Sequence, residues 1–205
     1  MTYFPFYCDI EKKKWLLVGG GKVAAGKFSR LIAFTREITV IAPEISDEIK
    51  MSAEEGVRFL ERDFRTADLN DADIVVAATD DKALNAQIAA LCRERRIPVN
   101  AVDDPENCDF IFPAIIKKGR LTVSVSTNGA SPIYAAMLKK QINDSLPEDI
   151  DLILEKMAAL RKIVPEKYPS LSQHERGMIY KRALSELLED SVAEVDIETM
   201  AAEIM

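Results

Sequence analysis

Three groups of residues in this chain of 205 have types and spacings suited to chemistry. The first is the run 14–27, an apolar stretch that breaks into Gly19, Gly20 and Gly21 and resumes with helix formers, so that Gly19, Gly21 and Ala24 match G-x-G-x-x-G/A. In that pattern the first small residue permits a tight turn, the second lets backbone approach a pyrophosphate and the third lets helix pack on strand. A glycine triplet also serves as a plain strand-to-helix turn, so the pattern needs its context. The second group is Asp103-Asp104, two neighbouring carboxylates that suit a general base. Asp-Asp-Pro-Glu-Asn is equally the composition of a turn. The third is Ser124, Ser126, Thr127, Asn128 and Ser131, hydroxyls and an amide beside a helix start, which suits an anionic carboxylate or phosphate. Capping accounts for Ser131 alone, and a loop is polar without further reason.

The elements that must position these groups alternate. Apolar residues at helical spacing over 23–34 lead into the β-branched strand 38–42, stopped by Pro43, and a short helix over 46–55 precedes a strand candidate at 57–60. Residues 73–80 read as an apolar strand with a polar end, followed by a helical pattern through Leu84, Ile88, Leu91 and Cys92 and a strand at 97–102. Continuous apolar strands separated by helices require a parallel sheet covered on both faces. A ligand site then lies beyond the carboxyl ends of the strands, at Gly19 to Val23, Pro43-Glu44, Thr79-Asp80-Asp81, and Asn100 with Asp103-Asp104. Glu44, just over twenty residues after the glycines, is placed to accept hydrogen bonds from ribose hydroxyls. No arginine follows it to take a 2'-phosphate, which favours NAD over NADP, although an acid there also suits a helix start.

From Phe110 the pattern changes to a β-hairpin, 110–116 and 121–127 around Lys117-Lys118-Gly119-Arg120, and then to a helix with Ser131 as N-cap and Pro132 at its first position. Beyond Pro147 the chain reads as helical, with breaks near 165–169. The predicted fold class is α/β, with domains at 1–113 (dinucleotide-binding), 114–144 (hairpin and helix) and 145–205 (all-helical). His174 is the only histidine and reads as a surface or capping residue, since one histidine cannot build a metal site. No metal site is expected.

Composition narrows the class. With 48% hydrophobic and 30% charged residues the chain resembles an ordinary soluble protein, and no apolar run approaches the 18 or so residues of a membrane helix. The N-terminus lacks a basic leader, so a cytoplasmic location is expected. Cys8, Cys92 and Cys108 form neither an even disulfide framework nor a C-x-x-C pair and read as reduced, mostly buried thiols. Residues 183–205 hold seven acids and no base, which accounts for the net charge of -7 and leaves the rest balanced. That distribution lacks the basic footprint of a nucleic-acid binder.

One ordered set of motifs is specific: Phe4-Pro5-Phe6, Val18-Gly19-Gly20-Gly21-Lys22-Val23-Ala24, Ala77-Ala78-Thr79-Asp80-Asp81, Asn100-Ala101-Val102-Asp103, Phe110-Ile111-Phe112-Pro113-Ala114, and Val125 to Pro132. Together they resemble the precorrin-2 dehydrogenase and sirohydrochlorin ferrochelatase family, the N-terminal part of siroheme synthases, over residues 3–143. The resemblance implies a Rossmann-type domain, a homodimer, and oxidation of precorrin-2 to sirohydrochlorin with NAD as hydride acceptor, joined in bifunctional members by insertion of ferrous iron. The chain shows no dedicated iron ligands, and dehydrogenation alone is expected. By position, Lys22 and Val23 fall on the cofactor turn, Pro43 and Glu44 on the adenosine side, and Asp103 on the catalytic aspartate. Thr127 falls where some members carry serine, keeping the hydroxyl and adding a methyl. The polar segment at Ser126, Thr127, Asn128 and Ser131, with lysines and an arginine nearby, would meet the substrate's carboxylates. Two alternatives are a non-catalytic NAD-sensing module and a chelatase with a vestigial cofactor site.

Overall fold

The computed structural model describes residues 3–203, which divide into two compact units, 3–112 and 113–203. The first is built on a parallel five-stranded sheet in the order β3-β2-β1-β4-β5: β1 (Trp15–Val18), β2 (Ile38–Ala42), β3 (Arg58–Glu61), β4 (Ile74–Ala77) and β5 (Val99–Ala101). Alternate β1 side chains enter different cores. Trp15 and Leu17 pack with Ala24, Ala25, Phe28 and Leu31 of α1 (Lys22–Leu31) and Ile49 of α2 (Asp47–Ser52). Leu16 and Val18 pack on the other face with Ile88, Ala89 and Cys92 of α3 (Lys82–Arg95). The central strands β1 and β4 are wholly apolar because both faces are covered, and each fully buried Leu, Ile or Phe contributes about 1.5–3 kcal/mol. With α1 on one face and α3 on the other, the strand order reverses between the parallel β1 and β4, and a crevice opens beyond the carboxyl ends of those two strands.

The second unit holds an antiparallel hairpin, β6 (Ala114–Lys118) and β7 (Leu121–Val125), then α4 (Pro132–Ser145), α5 (Ile150–Lys167), α6 (Gln173–Glu189) and α7 (Ile197–Ala202). Leu160, Val164, Leu171, Ile179, Ala183, Met200 and Ala201 form a core of its helices. The helix at 132 starts as its residues predict, with the Ser131 hydroxyl accepting from the Tyr134 N–H at 3.2 Å and Pro132 at the first position. Among the described residues no helix is long and apolar enough to cross a membrane.

Several boundaries differ from expectation. The hairpin begins at Ala114 rather than Phe110, because Phe110 and Phe112 turn back onto the first unit, where Phe110 stands edge-on to Trp15 at 6.0 Å. The helix expected over 46–55 spans only Asp47–Ser52, and the strand at 97–102 contracts to Val99–Ala101. The helix break expected near 165–169 is present, with α5 ending at Lys167, although Pro165 itself lies in its last turn, where the Tyr168 N–H still bonds the Val164 carbonyl at 2.9 Å. Cys8 is exposed rather than buried, while Cys92 is buried.

Candidate dinucleotide site

The crevice of the first unit is a cleft of about 830 Å³, and Gly19, Gly21, Lys22, Val23, Pro43, Glu44, Thr79, Asp80 and Asp103 all line it. Ala24 does not. It is fully buried one turn into α1, against the sheet, as the third small residue of the pattern requires.

The glycines divide the work. Gly19 has φ +128°, outside the range of other residues, and a Cβ there would stand 2.2 Å from the Ala78 carbonyl oxygen. At Gly20 a Cβ would stand 2.0 Å from the Glu44 carbonyl oxygen, so this glycine lets the turn pass the end of β2. Gly21 meets nothing within 4 Å. Its open side and the uncapped start of α1 leave the first-turn N–H groups available to an anion. These features fit a pyrophosphate: backbone is brought close by two glycines that packing demands, and space is kept by a third.

The loop after β4 is pinned by Asn85, 3% exposed on α3. Its Oδ1 accepts from the Thr79 N–H at 3.1 Å and hydroxyl at 2.8 Å, and its Nδ2 donates to the Thr79 carbonyl at 3.0 Å. Asp81 is spent on capping α3, accepting from the Ala83 and Leu84 N–H groups at 2.8 and 3.1 Å. Pro43 and Glu44 are exposed beyond the end of β2.

The carboxylate pair separates by function. Asp104 builds the turn, accepting from Asn107 Nδ2 at 2.6 Å. Asp103 is exposed, faces the cleft, has φ +59°, and makes no hydrogen bond or ion pair among the described residues. An unspent carboxylate on a strained backbone at a strand end is a candidate reactive group. The segment behind it is fixed: Asn100 Nδ2 donates to the Phe110 carbonyl at 2.8 Å, the Cys108 thiol donates to the Ala101 carbonyl at 3.0 Å, and the Val99 N–H donates to Asp109 at 2.9 Å. Burial pushes the Cys108 thiol pKa above its usual range, so it stays a neutral donor.

The sequence reading omits Gly20, Asn85 and Lys27. Gly20 was visible in the triplet. Lys27 follows Val23 by four residues, the spacing that stacks side chains on one helix face, and its ammonium lies 4.4 Å from the centre of the Phe112 ring. Burial, and then Arg30, lower its pKa, while Cys108 and Asp103 act in the opposite direction. Nothing in the pattern around Asn85 announces it.

In the second unit, the hydroxyls of the polar segment order their own backbone. Ser126 Oγ accepts from the Asn128 N–H at 3.1 Å, and Thr127 Oγ1 from the Ser131 N–H at 3.0 Å. Asn128 sits at φ +52°. The threonine therefore uses its hydroxyl to hold the start of α4, and its hydroxyl proton remains a donor. His174 is exposed in the first turn of α6, whose start is closed by a reciprocal Ser172–Glu175 capping box.

The family described as "Putative NAD(P)-binding" matches residues 6–114, just over half of the chain, and the one described as "Sirohaem biosynthesis protein central" matches residues 118–145. Among individual proteins, the siroheme synthase of Thioalkalivibrio sulfidiphilus is 35% identical over 95% of this chain and 39% of its own length. That of Methylococcus capsulatus is 38% identical over 82% of this chain and 36% of its own length. The chain thus spans less than half the length of these curated relatives. A solved structure titled "SirC, precorrin-2 dehydrogenase" shares the fold, with a TM-score of 0.76 at 22% identity, covering 98% of this chain and 96% of that one.

Proposed function

The chain belongs to an NAD(P)-binding family, and from that premise we propose that it oxidises precorrin-2 to sirohydrochlorin, with NAD as the hydride acceptor. The observation that carries this reading is Asp103, an unpartnered carboxylate lining the same cleft as the glycine turn. NAD, when bound, supplies the site that takes up hydride. The α1 N–H groups beside Gly21 hold its pyrophosphate, and Glu44 accepts from ribose hydroxyls, which selects against a 2'-phosphate. Asp103 removes the proton that leaves the substrate as the hydride departs, so the macrocycle loses two electrons and two hydrogens. Ser126, Thr127, Asn128 and Ser131 bind substrate carboxylates.

We further place the enzyme in the cytoplasm as a homodimer joined through residues 114–144, with the helical residues 145–205 as a third segment. The exposed apolar side chains Ile133, Tyr134 and Met137 on α4 support such a joint, and sedimentation equilibrium would read twice the chain mass.

Asp103→Asn is the direct test, because asparagine tolerates a positive φ and removes only the charge. Turnover of precorrin-2, followed by sirohydrochlorin absorbance, should fall by about 10²- to 10⁴-fold while NAD binding is unchanged. Full activity in the variant would overturn the role of Asp103. A wild-type protein that binds NAD without oxidising precorrin-2 would instead be a nucleotide sensor.

A further inference from the structure

Lys27 does not line the dinucleotide cleft, yet it is near enough to Asp103 to feel the charge of its carboxylate. Its position is built. The ammonium rests on the face of Phe112, which packs on Phe110 at 5.7 Å, and Phe110 in turn stands against the buried Trp15. The side chain is half-buried, and no carboxylate lies within ion-pairing distance of it among the described residues. Arg30, a cation one turn further along the same helix whose charge acts on Lys27, is likewise without an ion pair among the described residues.

From this geometry we infer that Lys27, seconded by Arg30, docks a carboxylate side chain of the macrocyclic substrate on the α1 side of Asp103. The inference rests on the dehydrogenase reading above, which supplies a polycarboxylate ligand. A lysine serving only as surface charge keeps its head in water and pairs freely. Lys27 instead gives up part of its hydration and faces a second cation. Those two effects lower its pKa, and Asp103 and Cys108 offset them only in part. An incoming carboxylate would restore the balance, bonding a donor already fixed by an aromatic stack and so costing little ordering entropy. A macrocycle held by one acidic arm at Lys27 keeps its rim next to Asp103, and the cation then governs where the substrate sits rather than how fast it reacts.

The test compares Lys27→Met with Lys27→Arg in the full chain. For Lys27→Met the KM for precorrin-2 should rise about tenfold or more, with kcat within about threefold, and Lys27→Arg should recover most of the loss. NAD affinity and melting temperature should match wild type in both. A second readout avoids turnover: binding of sirohydrochlorin, titrated by its absorbance, should weaken by a similar factor in Lys27→Met. Unchanged KM and unchanged sirohydrochlorin binding would overturn the inference. So would a loss that arginine fails to rescue together with a lowered melting temperature, which marks a packing role. If wild type fails to oxidise precorrin-2, the dehydrogenase reading falls, and the sirohydrochlorin titration still decides whether Lys27 holds a carboxylate.

Discussion

Folding and binding demands on the glycine turn separate at Gly19 and Gly21, and the pair Gly19→Ala and Gly21→Ala tests whether the turn is a phosphate cradle. At Gly21 the backbone is extended, φ -87° and ψ -169°, which alanine adopts, and the added methyl meets nothing within 4 Å. The remaining cost is that of alanine at a helix N-cap, about 1 kcal/mol or less relative to glycine. At Gly19 the methyl would lie 2.2 Å from the Ala78 oxygen and 2.6 Å from its carbon. Both are backbone atoms of the segment leaving β4, whose Ala78 N–H bonds the Val18 carbonyl at 2.8 Å, so they cannot swing aside. Strain from φ +128° adds about 1–3 kcal/mol and the overlap about 1–3 kcal/mol more. The sum, roughly 2–6 kcal/mol, is a large share of the 5–15 kcal/mol typical of a domain.

Trp15, the only tryptophan, is 7% exposed in the core of this unit, so its fluorescence reports unfolding of residues 3–112 without a probe. Gly19→Ala should lower that transition by about 10 °C or more, and Gly21→Ala by a few degrees at most. The NAD titration should rank the variants differently. Gly21→Ala stays folded and loses about tenfold or more in affinity, equivalent to about 1.4 kcal/mol, because its methyl occupies the space where backbone must approach the phosphates. A Gly21→Ala protein that binds NAD as wild type does would refute the cradle. One destabilised as far as Gly19→Ala would refute the packing argument.

Two further variants probe the supports of the site and of the fold. Asn85→Ala removes two hydrogen bonds accepted from Thr79 and one donated to it in a buried setting, so the Trp15 transition should fall by about 2–4 kcal/mol and NAD affinity should drop with it, measured by the same titration. Arg62→Met probes pH dependence through Asp68, whose carboxyl is held below the usual range first by its hydrogen bond to Arg62 and then by the Arg65 N–H. A carboxylate depressed in the folded state adds stability above its unfolded pKa, near 4, and loses that contribution as pH falls through its folded value. Denaturant midpoints should therefore separate wild type from Arg62→Met at pH 7 and draw together as pH falls below about 4, and a gap that persists unchanged in acid would count against the ion pair.

What the sequence discloses here depends on whether backbone or side-chain neighbours decide a residue's role. Gly19, Ala24 and the strand ends were legible because their constraints are local: a turn after an apolar run and a small residue one helical turn later leave few ways to fold. The turn composition alone did not separate Asp103 from Asp104, since both belong to one turn, and only the family resemblance singled out Asp103. What separates them is that Asn107 bonds Asp104 alone, leaving Asp103 at φ +59° facing the cleft. The same limit displaced the hairpin. The apolar run Phe110-Ile111-Phe112 suits a strand, and it is the packing of Phe110 on Trp15, with the Asn100 bond to the Phe110 carbonyl, that holds this run on the first unit and leaves β6 to start at Ala114. That displacement also exposes the meaning of Lys27. On a helical wheel it is one more charge on a solvated face, and it acquires a fixed position only because Phe112 returns to lie beneath its ammonium. A residue whose role depends on a segment some 85 positions later cannot be assigned from its own neighbourhood, and at Lys27 that segment also carries the carboxylate proposed to do the chemistry.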